Sequence, residues 1–175
     1  MNALTVEILK KVCIYANKIN LANYIPFLNE LMPKYHIDTL LRVRHFIAQV
    51  AQESGSFQYV EEIASGEAYE GRKDLGNIYP GDGKKFKGRG LIQITGRFNY
   101  ERLYNDFNID CVNHPELLKQ PKYAVESACW FWRLKDLNKL ADIDDIRGIT
   151  RIINGGYNGL AERINFYKLA EKYIL

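Results

Sequence analysis

Glu53 and Glu62 stand nine positions apart and flank Ser54-Gly55-Ser56, a tripeptide suited to ending a helix and turning the chain. On one continuous helix the two carboxylates would lie roughly 180° apart around the axis. A turn between them instead lets both face one bound molecule. Two carboxyl groups across a substrate, one protonated and one ionised, are what hydrolysis of a glycosidic bond requires. The same two residues could also be solvated surface carboxylates, because helix ends are commonly polar. Spacing alone leaves both readings standing.

The elements that must position them follow from hydrophobic periodicity. Leu4, Ile8, Leu9, Val12, Ala16 and Ile19 predict an amphipathic helix over 4–19, and a second helix is expected over 22–35, with Pro26 in its first turn. A third begins after Asp38 as N-cap and carries the stripe Leu40, Val43, Phe46, Ile47 and Val50, delivering Glu53 at its end. Between Glu61 and Thr95 periodicity fades and seven glycines intervene, which predicts loops and short strands, with 90–95 as the best strand. Helical patterns return with Phe98, Leu103 and Phe107, again from Tyr123 to Trp132, and as two closing helices over 144–153 and 160–174, separated by NGGYNG.

Composition fits one compact unit: 175 residues, 47% hydrophobic and 26% charged, with no internal repeat or linker. A formal charge of +3 is too small for a nucleic-acid footprint, although the basic stretch GDGKKFKGRG with nearby aromatics is the best argument for one. That stretch nearly spells a phosphate loop, but Arg89 and Gly90 replace the required Lys and Ser or Thr. His36, His45 and His114 fit no metal-ligand spacing, so neither a metal nor a cofactor is expected. Cys13, Cys111 and Cys129 form no pair pattern; Cys13 and Cys129 fall in apolar stripes, and Cys111 alone could be a reactive thiol. No apolar run is long enough to span a membrane, and the N-terminus does not read as a signal peptide.

Five segments in order, AQESGSF, YVEEI, YEGRKDLGN, PGDGKKFKGRGLIQITGRFNY and INGGYNGLAERINFYK, resemble the motifs of glycoside hydrolase family 19, a chitinase-like group that includes bacteriophage endolysins. The likeness covers roughly residues 40–175. It implies a mainly α (α+β), lysozyme-like fold of two lobes with a substrate cleft and a small irregular β region. It also implies a single catalytic domain over 1–175, with N-terminal helices in 1–37 and the family core in 38–175, and an inverting mechanism. By the resemblance Glu53 is the general acid, Glu62 the general base (Glu61 being the alternative), and Thr95 helps to hold the attacking water. Gln93, Asn99 and Asn154 fall on positions that bind sugar or order the water, and Arg163 on one that supports the catalytic network. Tyr69 or Tyr100 adds an aromatic face suited to sugar. Where the family commonly has a histidine before the acid and a glycine pair after the serine, this chain has Gln52 and Ser56.

The expected activity is therefore cleavage of β-1,4 bonds in peptidoglycan, with chitin-type polymers as the alternative substrate and a non-catalytic glycan-binding module as the alternative role. Compact endolysins set that preference, and the sparse cysteines agree with it. The expected setting is a monomer made in a bacterial cytoplasm that reaches the wall through a pore or another export route, without nucleic-acid partners or stable membrane insertion.

Overall fold

The computed structural model describes residues 2–175 and is mainly helical. Its helices are α1 (Val6–Val12), α2 (Lys18–Lys34), α3 (Leu40–Glu53), the single turn α4 (Asp82–Lys85), α5 (Arg97–Phe107), α6 (Pro121–Leu134), α7 (Leu137–Asp142), α8 (Ile146–Asn154) and α9 (Leu160–Tyr173). Three 3-10 turns, Glu67–Tyr69, Lys73–Leu75 and Pro115–Lys119, punctuate the loops. α3 packs along α9, α2 along α6, and α1 closes against both α2 and α9. One hydrophobic cluster runs through all of these contacts, from Leu4 to Ile174. Among the described residues no helix is long and apolar enough to cross a membrane.

The first predicted helix is shorter than its stripe. α1 stops at Val12, and Lys10 Nζ donates to the carbonyls of Ile14 (2.5 Å) and Ala16 (2.8 Å), fixing a tight turn into the Asn17 cap of α2. Because α2 starts there, Pro26 lies in the helix interior and not in its first turn. An interior proline costs about 3 kcal/mol. Burial of Leu21, Tyr24, Leu28, Leu31 and Met32, at about 1.5–3 kcal/mol per large apolar side chain, outweighs that cost. α3 is capped one residue later than predicted: Thr39, not Asp38, accepts from the Arg42 N–H through its hydroxyl.

The expected strand at 90–95 does not form. Arg89 instead bridges singly to Glu61 on one side and to Ile94 on the other, and positive φ at Gly90 and Gln93 turns the chain between them. What the glycine-rich segment builds is a set of turns closed by side chains. The buried Asp82 accepts from Arg97 Nε (2.9 Å) and Nη2 (2.5 Å), and the Arg97 guanidinium lies over the rings of Tyr79 and Phe86.

Candidate active site

Glu53 is the last residue of α3, and Ser54 ends the helix. The Ser54 hydroxyl donates back to the Val50 carbonyl (2.7 Å) and accepts from the Phe57 N–H (2.8 Å). Gly55, Ser56 and Phe57 then follow with positive φ, reversing the chain. At Gly55 a side chain would strike the Tyr59 ring, whose nearest atom is 2.8 Å from the Cβ position. The reversal is held by the Ser56 N–H donating to the Ala51 carbonyl at 2.7 Å.

Arg163 of α9 meets Glu53 from the opposing helix. Its Nη2 donates to Glu53 Oε1 and its Nη1 to Gln49 Oε1, each at 2.5 Å. The Arg163 side chain is 2% exposed and that of Glu53 17%, so the ion pair is nearly dry on one side and wetted on the other. Gln49, one helical turn before Glu53 and fully buried, points its amide toward Thr150 Oγ1 of α8 (3.4 Å). Arg163 Nε has no partner among the described residues, so Gln49 and Glu53 fix the guanidinium between them.

Glu62 is held by a different set of groups. Its Oε1 accepts from the Tyr69 hydroxyl (3.0 Å) and its Oε2 from the Gly88 N–H (3.1 Å), while its own N–H donates to the Gly88 carbonyl (2.9 Å). Burial and the bond to Glu62 push the Tyr69 phenol above its ordinary pKa of 10.0, which keeps it a donor. Neighbouring Glu61 is engaged elsewhere: it takes Arg89 Nε (3.0 Å) on one oxygen and Lys119 Nζ (3.1 Å) on the other. Burial raises the Glu61 pKa, but Lys119, Arg89 and Lys87 outweigh it and hold this carboxyl below 4.5. Successive residues of an extended segment face opposite ways. Here that sends Glu61 to the structural cations and Glu62 to Tyr69.

Gly88 is where the predicted residues meet. A Cβ there would lie 2.8 Å from Gln93 Oε1 and 3.3 Å from both Glu62 Oε2 and Thr95 Oγ1. Only the missing side chain lets these three groups converge. Thr95 donates its hydroxyl to the Gln93 carbonyl (2.9 Å), leaving its oxygen lone pairs to accept, and Asn99 Nδ2 donates to the Thr95 carbonyl (2.8 Å). Asn99 also borders an open cavity of about 500 Å³ that Leu75, Phe98 and Asn105 line; neither Glu53 nor Glu62 borders it.

One predicted binding residue needs correction. Tyr100 is wholly buried, donates to the Lys87 carbonyl (2.8 Å) and accepts from Arg89 Nη1 (3.1 Å), so it supports the turn and cannot stack on a sugar. Arg163 faces Glu53 and Gln49, not solvent, so it can bear on substrate only through the carboxylate it holds. Asn154 is exposed at the end of α8 and makes no side-chain hydrogen bond to either carboxylate. The turn after it reaches the acid's neighbourhood by another route, because Gly159 passes so close to Gln52 that a Cβ would lie 2.7 Å from its amide nitrogen.

Gln49 and Gly88 were not identified from sequence. Gln49 leaves a trace there: a polar residue four positions before Glu53 on the apolar side of a strongly amphipathic helix. Among the described residues no three His, Cys, Asp or Glu side chains gather as metal ligands would. All three cysteines are buried and free, and burial pushes the Cys13 thiol up to about 12 and that of Cys111 to about 11. Cys111 is therefore no nucleophile near neutrality.

Comparison with known proteins places these features in a family. The glycoside hydrolase family 19 model, described as chitinase class I, matches residues 46–149. A glycosyl hydrolase family 19 domain-containing protein of Haemophilus influenzae is 35% identical over 107 residues, covering 61% of this chain and 52% of that protein. An endochitinase of Arabidopsis thaliana is 37% identical over 130 residues, covering 69% of this chain and 44% of the relative. The chain thus spans about half the length of the curated relatives it matches. In fold it is similar to a family 19, class IV chitinase of Zea mays (TM-score 0.74, 23% identity, 98% of this chain and 92% of that one). Chitinase C of Streptomyces griseus is also similar in fold (TM-score 0.69, 20% identity, 98% and 76% covered). With its model match spanning more than half of the sequence, and with both ends of the motif series built into one helical core, the chain belongs to glycoside hydrolase family 19.

Proposed function

We propose that the chain hydrolyses β-1,4 bonds of polymers built from N-acetylated hexosamines, with chitin-type chains as the first substrate to test. Glu53 is the general acid: it gives its proton to the glycosidic oxygen as the C–O bond breaks. Glu62 is the general base: it takes a proton from the water that attacks the anomeric carbon from the opposite face, so configuration inverts. The observation that carries this reading is the convergence of Glu62, Gln93 and Thr95 on Gly88. It surrounds one carboxylate with a hydroxyl acceptor and an amide, which is what a positioned water needs.

Glu53 sits in a separate network under Arg163 and Gln49, and the two carboxylates share no hydrogen-bond partner. Separate environments are what allow one carboxyl to donate while the other accepts. Asn99 donates to the Thr95 carbonyl and lines the neighbouring cavity, where sugar units beyond the scissile bond would lie. The motif likeness to endolysins favours peptidoglycan, whereas the Arabidopsis thaliana relative is an endochitinase, which supports the chitin-type reading first. The test is incubation of purified protein with chitin oligomers, following the anomeric protons of the initial products by NMR. A β-to-α change supports the mechanism, and a retained β product contradicts it.

A further inference from the structure

Gln49 and Thr150 lie outside the motif segments that mark the two carboxylates, yet both are fully buried beside the acid's arginine. A glutamine amide has two unlike ends, and burial makes the wrong orientation costly. Here both neighbours dictate the same one. Arg163 carries donors only, so the end of Gln49 that meets its Nη1, at 2.5 Å, is the carbonyl oxygen. The Thr150 hydroxyl already donates its proton to the Ile146 carbonyl, one turn back in α8, at 2.8 Å. It therefore offers Gln49 only lone pairs. The amide nitrogen faces them at 3.4 Å and has no other acceptor within 3.5 Å among the described residues. A flipped amide would set its NH2 against the guanidinium and its oxygen against the hydroxyl oxygen.

We propose that Thr150 is a positioning residue for the general acid: by fixing which way the Gln49 amide faces, its hydroxyl holds the Arg163 guanidinium on Glu53. The inference rests on the glycosidase reading above, in which Glu53 is the acid. Gln49 and Glu53 are one turn apart on α3, so a single guanidinium can span both. Because Arg163 Nε has no partner among the described residues, the contacts of Nη1 and Nη2 alone fix it. Loosening the Gln49 end leaves Glu53 as the sole tether, and the carboxylate can then swing with its arginine. The bonded series runs from the Ile146 carbonyl through Thr150, Gln49 and Arg163 to Glu53, tying α8 and α9 to the end of α3. Thr150 is 0% exposed and cannot touch substrate, so it can affect turnover only through Gln49 or through the packing of α8.

The test separates those two routes. Thr150→Val keeps the branched shape and removes the hydroxyl, whereas Thr150→Ser keeps the hydroxyl and removes the methyl. Each is measured for kcat and KM on chitin oligomers and for its urea midpoint, alone and beside Gln49→Met, which removes the amide to be oriented. With the amide nitrogen left unpaired, Thr150→Val should lower the midpoint and cut kcat about fivefold or more while KM stays within about twofold. Thr150→Ser should keep kcat within about twofold of wild type. Beside Gln49→Met, Thr150→Val should change neither kcat nor midpoint any further, because no amide remains to orient. Wild-type kcat in Thr150→Val, an equal effect in both backgrounds, or Thr150→Ser as slow as Thr150→Val overturns the assignment. If the wild type cuts no chitin oligomer, the glycosidase reading fails instead, and the midpoints alone decide the anchor. A loss for Thr150→Val that vanishes beside Gln49→Met then upholds it, and equal losses overturn it.

Discussion

Replacing Arg163 with Met removes the cation between α3 and α9 while keeping an unbranched apolar stem. The guanidinium makes two hydrogen bonds of 2.5 Å, to Glu53 and Gln49, and its side chain is 2% exposed. A hydrogen bond involving a charged group contributes about 1.5–3 kcal/mol, and breaking a buried ion pair by deleting one partner costs about 3–5 kcal/mol. Glu53 keeps 17% exposure, so water can partly replace Arg163 there, which points to the lower end. Gln49 has no such access and is left with a buried, unsatisfied oxygen. The expected loss is about 3 kcal/mol, or roughly 6–12 °C in Tm for a domain of this size. Urea unfolding followed by circular dichroism reads the first quantity, a thermal scan the second, and reducing-end release the accompanying loss of activity. Glu53→Gln is the companion variant: it keeps an oxygen for Arg163, so it should cost less stability than Arg163→Met while removing the proton donor. A stability loss below about 1 kcal/mol for Arg163→Met, with activity retained, would refute the positioning role drawn from these contacts.

Further outcomes follow from the rest of the site. Gly88→Ala should cut activity about tenfold or more with little change in Tm, because the new methyl displaces the flexible ends of Gln93 and Glu62 and no backbone; a fully active Gly88→Ala protein would argue against the convergence. Thr95→Val, which keeps the shape but removes the hydroxyl, should lower kcat far more than it raises KM. The Asp82 carboxyl is held below its ordinary value of 3.8, chiefly by Arg97. Its contribution is therefore present above pH 3.8 and lost as pH falls through the depressed folded value. Urea midpoints measured against pH should show the wild type exceeding Asp82→Asn at neutrality and the gap narrowing below about pH 3.8.

The helices were legible wherever an apolar stripe ran into a packed neighbour, as in α3, α6 and α9, and Glu53 could be placed at a helix end from Ser54-Gly55 alone. The start of α2 was not, because burial of five large side chains overrides the penalty at Pro26, and burial is a property of the tertiary structure. The expected strand at 90–95 failed for a related reason: alternating apolar residues imitate a strand, but positive φ at Gln93 spends them in a turn around Arg89. Motif likeness located Glu62, Gln93, Thr95 and Asn99, and the structure ties all four to the same few ångströms around Gly88 or Thr95. It could not separate Tyr100 from a cleft residue, since a buried and a sugar-stacking tyrosine look alike in sequence. Nor does sequence show the different partners of Glu61 and Glu62, Arg89 and Lys119 on one side and Tyr69 on the other.

The most direct test of the catalytic assignment is the initial rate of reducing-end release from chitin oligomers by Glu62→Gln, measured beside Glu61→Gln and the wild type. The account predicts a loss of at least about a hundredfold at Glu62 and a rate within a few-fold of wild type at Glu61. Near-normal turnover by Glu62→Gln, or a collapse confined to Glu61→Gln, would contradict it.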